Sequence, residues 1–125
     1  MTLPDRAALE ATLQTYFDGL HEGDADKLAS VFHSGSSLTW EVDGERRELS
    51  RDDWLEAVRN RPSARATGLA RDDAILLLDQ SGPGTAFAKV KCQLPPRYFT
   101  DYLNLLKIDG RWQIVQKIYA VQTRG

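Results

Sequence analysis

The chain has 125 residues, 42% of them hydrophobic and 27% charged, with a net charge of −2 and a pI of about 5.6. That length suits one domain around one core, and that balance excludes a disordered tail and a general electrostatic nucleic-acid footprint. No apolar run approaches the roughly 20 residues a membrane helix needs.

The segment Pro4 to Glu22 predicts a first helix, because Leu9, Leu13, Tyr16, Phe17 and Leu20 recur at spacings of three and four. Pro4 suits its first turn and Gly23 its stop. Asp24 caps a short second helix, "ADKLASVFH", with Leu28, Val31 and Phe32 inward. "SLTWEV" alternates as a half-buried strand, and Asp43-Gly44 marks a hairpin. "SRDDWLEAVRNRP" predicts a third helix, with Ser50 and Asp53 as a capping box, Arg61-Pro62 as its end, and Trp54, Leu55 and Val58 buried. From there the period changes to two. "AILLLD" and "TAFAKVKCQL" are strands joined by the turn "SGPG". Pro95-Pro96 then interrupts pairing, because neither residue donates to a ladder. The order predicts an α+β domain over 1–125, a curved, mostly antiparallel sheet with helices on one face.

The last stretch, "FTDYLNLLKIDGRWQIVQKIYAV", is a hairpin about Asp109-Gly110, which fits a two-residue turn. Counting from that turn sets Leu106 opposite Gln113, Asn104 opposite Val115, Tyr102 opposite Lys117 and Thr100 opposite Tyr119, all on one face. The other face carries Leu103, Leu105, Trp112, Ile114 and Ile118, with Asp101 among them. A face that mixes tyrosines, an amide and an amine is poor core, since an unpaired buried amide costs about 1–3 kcal/mol. It reads either as a small-molecule pocket or as an internal hydrogen-bond network. The aliphatic face would then be covered by a second copy in a homodimer. Asp101 is expected in an edge or interface salt bridge.

The layout, "YFDGLHEGDADKLASVFH" and the closing hairpin resemble the nuclear transport factor 2-like superfamily, and within it the SnoaL-like group described as putative lumazine-binding. The resemblance implies a cone: a strongly curved sheet wrapped around helices, with a pocket at the open end, commonly dimeric through the sheet. In the ketosteroid isomerase branch it places the oxyanion tyrosine at Tyr16 and the second oxyanion donor at Asn104. The general-base carboxylate falls on Trp40, which cannot abstract a proton.

The expected ligand is a small, largely apolar or aromatic molecule, bound or turned over by cofactor-free proton transfer. Tyr16 and Asn104 are the oxygen-binding candidates, and Lys117 and His33 the proton carriers. Phe17, Trp40, Trp54, Tyr98, Thr100, Tyr102, Val115 and Tyr119 are candidates for the pocket wall, with core roles open for Trp40, Trp54 and Tyr98. His33 ends the second helix in this reading, and His21 is expected at the surface. A non-catalytic dimerisation or binding module is the alternative. Cys92 is the only cysteine and reads as a small core residue. Two histidines and one cysteine make no recognised zinc motif, and no phosphate loop, G-x-G-x-x-G or G-x-S-x-G is present. No metal, cofactor, nucleic-acid or membrane partner is therefore expected. "MTLPDRAALEATL" lacks the basic start and apolar stretch of a secretion signal, which makes a cytoplasmic protein the expectation.

Overall fold

The computed structural model describes residues 3–124. Helix α1 (Arg6–Glu22) stops at Gly23, whose φ of 66° is the left-handed conformation that glycine adopts without a Cβ penalty. Asp24 then caps α2 (Ala25–Val31), its carboxylate accepting the Lys27 N–H at 3.1 Å. The two helices meet at Gly19, where a Cβ would lie 2.8 Å from Leu28 Cγ. Helix α3 (Arg51–Arg59) starts at Ser50, whose hydroxyl accepts the Asp53 N–H.

The second helix is shorter than the sequence predicts. Phe32 leaves it to open strand β1 (Phe32–Val42), where it pairs with Ile114 and packs its ring 5.0 Å from that of Trp54. Aromatic burial and a backbone partner outweigh the helix for this residue. His33 consequently stands on a strand, half-buried, its Nδ1 accepting the Gly35 N–H, and not at a helix C-terminus.

The remaining strands are β2 (Glu45–Ser50), β3 (Ala74–Ser81), β4 (Thr85–Leu94), β5 (Arg97–Ile108) and β6 (Arg111–Thr123). They form one sheet in the order β2-β1-β6-β5-β4-β3, antiparallel except where β1 runs parallel to β6. Asp43-Gly44 and Asp109-Gly110 have positive φ at both positions, as the tight hairpin turn requires. Pro95-Pro96, joined by a cis peptide, makes the β4–β5 turn between paired Leu94 and Arg97.

The register of the last hairpin departs from simple counting. Ile108↔Arg111 through Leu105↔Ile114 follow the turn, but the next pair is Asn104↔Gln116. Val115 is an extra residue, a β-bulge. Beyond it every side chain of β6 changes partner, so Lys117 lies opposite Leu103 and Tyr119 opposite Asp101. The expected mixed face therefore splits. Lys117 turns inward beside Asp101 and Leu103, while Tyr102, Asn104 and Ile118 face outward and are exposed. The aliphatic face is also reassigned. Leu103, Leu105 and Ile114 are fully buried in one core with Leu9, Leu13, Leu28 and Leu55 from the helices, so the helices cover it and not a second copy. Each such leucine contributes about 1.5–3 kcal/mol by leaving water.

Candidate functional site

A cavity of about 240 Å³ opens between α1, α3 and the curved sheet. Its apolar wall is formed by Phe17, Leu38, Trp40, Trp54 and Phe99. The polar side chains reaching it include His21, Arg61, Arg97, Lys117 and Tyr119. Trp40 stacks on Tyr119 at 5.4 Å, which fixes one side of the opening.

Lys117 lies at the closed end. Its ammonium is surrounded by three rings, with Nζ 5.0 Å from the centroid of Tyr119, 5.1 Å from Trp54 and 5.3 Å from Tyr16. Ring faces attract a cation, and more strongly where water is excluded. The countercharge is Asp101, with Oδ2 3.8 Å from Nζ, and the two side chains are 0% and 7% exposed for Asp101 and Lys117. At that distance the Coulomb attraction is about 4 kcal/mol for an effective dielectric near 20. Desolvation of both ions offsets most of it, so the pair is a weak source of net stability. Its effect is to hold a positive charge at the end of an apolar cavity.

Asp101 is itself held from behind. The Tyr16 hydroxyl donates to Oδ2 at 2.5 Å, and the Cys92 thiol approaches the same oxygen at 3.6 Å. Burial, and then the Asp101 charge, push the Tyr16 phenol well above its ordinary pKa, so Tyr16 is a neutral donor. The same two causes push the Cys92 thiol far up, which removes it as a nucleophile. Tyr119 is raised too, by burial first and Asp101 second. Asp101 Oδ1 is buried without a hydrogen-bond partner. Lys117 thus faces the cavity, with Asp101 and Tyr16 behind it.

The cavity brings together Phe17, Trp40, Trp54, Lys117 and Tyr119 of the expected site, with Tyr16 fully buried behind Lys117. The others lie elsewhere. Asn104 is on the outer face, donating to Gln116 Oε1 at 3.2 Å, and Tyr102 is on that face beside it. Tyr98 and Thr100 line a separate groove with Val121. Val115 occupies the bulge, and His33 is outside the cavity wall. Sequence reasoning missed His21, Arg61 and Arg97 as cavity groups and Asp101 as the buried countercharge behind Lys117. The signal for Asp101 was its place in an otherwise aliphatic row, read as an interface salt bridge because the bulge was not foreseen. Among the described residues no group of three His, Cys, Asp or Glu side chains is arranged to hold a metal ion.

This cone of sheet around helices is the nuclear transport factor 2-like fold. It matches an NTF2-like protein of unknown function from Silicibacter pomeroyi DSS-3 with a TM-score of 0.83 and 28% identity, over 98% of this chain and 100% of that one. An NTF2-like protein from Shewanella baltica OS155 aligns with a TM-score of 0.86 and 23% identity, over 99% of this chain and 100% of that one. Residues 4–120 match the family described as "Putative lumazine-binding", and the chain belongs to that family. A protein of Cladobotryum sp. named aldolase FrzH is 29% identical over 121 residues, which span 95% of this chain and 93% of the relative.

Proposed function

We propose that the cavity binds a small, largely apolar or aromatic carbonyl compound and catalyses a cofactor-independent proton transfer on it. The observation that carries this reading is the Lys117 ammonium, fixed at the closed end of an apolar cavity. Removing a proton α to a carbonyl moves negative charge onto the carbonyl oxygen. A prearranged cation there, shielded from water, stabilises that charge without reorganising at the moment of reaction. Isomerisation, dehydration and aldol chemistry all pass through such an enolate, and the relative named an aldolase supports this class of reaction. The family description supports a flat ring system with carbonyl groups, since a lumazine is a bicyclic dione. Trp40, Trp54 and Phe99 offer the faces for it. His21, on the wall, is the proton carrier in this scheme.

The test is α-proton exchange of 2-tetralone in D2O, followed by NMR, with thermal-shift titration by lumazine. The comparison variant is Lys117→Met/Asp101→Asn, which leaves neither charge alone and keeps an acceptor for Tyr16. Wild-type protein accelerates exchange or is stabilised by lumazine, and the variant loses at least about tenfold of either effect. No exchange above buffer together with no stabilisation overturns the reading.

We also assign the outer sheet face to a homodimer. Leu77, Tyr102, Leu106 and Ile118 stand on it and are 39–51% exposed. A self-complementary contact about a twofold axis buries such a patch. Sedimentation equilibrium should give a dimer, converted to monomer by Tyr102→Asp/Ile118→Asp. A wild-type monomer refutes the assignment.

A further inference from the structure

The cavity's mouth carries two arginines with no ion-pair partner among the described residues. Arg61, just beyond α3, is half-buried and lines both the cavity and the neighbouring groove beside Gly23 and Pro95. Arg97, at the start of β5, lines the same two surfaces. Among the described residues, neither guanidinium has a carboxylate within salt-bridge distance or a hydrogen-bonded side chain; Arg97 lies 5.8 Å over the Phe99 ring. Their charged neighbours are paired, Arg71 and Asp73 on the same wall among them. Arg71 holds Asp18 at 2.6 Å and Asp73 at 2.8 Å, and Lys91 holds Asp72 at 3.2 Å. Burial disfavours the Arg61 charge, and the charge of Arg97 disfavours it further.

We propose that Arg61 and Arg97 form a carboxylate-binding subsite at the mouth, so that the ligand is an aromatic or alicyclic keto acid with its acid group outward and its carbonyl at Lys117. This rests on the reading of the cavity as a carbonyl-compound site and adds the substrate class. A guanidinium presents parallel N–H donors in a plane that matches the two oxygens of a carboxylate. An anion there removes the like-charge repulsion and supplies the absent partners in one step. The size agrees. An apolar cavity of about 150 Å³ admits benzene, and about 240 Å³ leaves room for a second ring or a short side chain. The polarity of the cavity follows from the same placement. Lys117 has Asp101 as its countercharge, whereas the two arginines without a partner sit at the entrance, where they draw an acid in and orient it.

Isothermal titration with 2-naphthoate and 2-naphthamide tests this, on wild-type protein, Arg61→Gln/Arg97→Gln and Lys117→Met/Asp101→Asn. At low salt the acid should bind wild type at least about tenfold more tightly than the amide, and high salt should narrow the gap. Arg61→Gln/Arg97→Gln should bring the two within about twofold. Lys117→Met/Asp101→Asn should keep the preference for the acid. Equal binding of acid and amide to wild type, or a preference lost with Lys117 and retained without the arginines, overturns this proposal and leaves the cavity reading standing. Binding of neither probe overturns both.

Discussion

Removing Lys117 alone should be more damaging than removing both charges of the Asp101–Lys117 pair. In Lys117→Met the Asp101 carboxylate stays where it is, fully buried, with Oδ1 already unpartnered and its only nearby cation gone. Breaking a buried pair in this way costs about 3–5 kcal/mol. In Asp101→Asn the surviving ammonium borders the cavity and keeps its three aromatic rings. That variant should lose less, about 1–3 kcal/mol. The double variant has no isolated charge and should lie within about 1–2 kcal/mol of wild type. The cycle then gives a coupling of at least about 2 kcal/mol, of the order of the roughly 4 kcal/mol Coulomb figure at 3.8 Å. Urea unfolding followed by tryptophan fluorescence and circular dichroism reads it, and the Lys117→Met midpoint should fall by about 1–3 M. Additive single variants, with coupling below about 0.5 kcal/mol, refute the argument.

Three other outcomes follow from individual side chains. Asn104→Leu should change stability by less than about 0.5 kcal/mol and leave ligand binding intact, because the amide is exposed and bonded only to Gln116; a tenfold loss of binding would contradict the register. Cys92 should react with an aromatic disulfide reagent about 100-fold more slowly in native protein than in urea, since burial and Asp101 suppress its thiolate; equal rates would contradict this. Asp18 titrates below its ordinary 3.8, chiefly through the hydrogen bond from Arg71. Its stabilisation is therefore complete above about pH 5 and is lost as pH falls through the depressed value. With Asp18 about a third exposed, Asp18→Asn should cost at most about 1 kcal/mol at pH 7 and progressively less as pH falls below the ordinary 3.8, measured by thermal unfolding.

Local chemistry made most of the fold legible. Gly23, Asp24 and Ser50 set helix ends by rules that involve only near neighbours, and Asp43-Gly44 and Asp109-Gly110 set turns in the same way. Phe32 and His33 were misplaced because their fate depends on β6, some eighty residues on. The site was less legible for a related reason. A β-bulge carries no short-range signature, and one extra residue at Val115 moves Lys117 from the face of Asn104 to the face of Asp101. The aromatic residues Trp40, Trp54 and Phe17 were recognisable as inward-facing because helical and strand periods alone point them there, which left core and cavity wall open for the two tryptophans. Arg61 and Arg97 were not, since a terminal arginine looks like any solvated one until the cavity is seen to open beside it.

The most direct check is a lysine side-chain NMR spectrum of the folded protein, with and without 2-tetralone. Lys117 Nζ lies 5.0–5.3 Å from three ring centroids, so its ε-methylene protons should be shifted upfield of every solvent-exposed lysine and should move further when the ketone is added. A Lys117 resonance inside the exposed-lysine envelope, indifferent to the ketone, would mean that the amine does not stand at the end of the cavity.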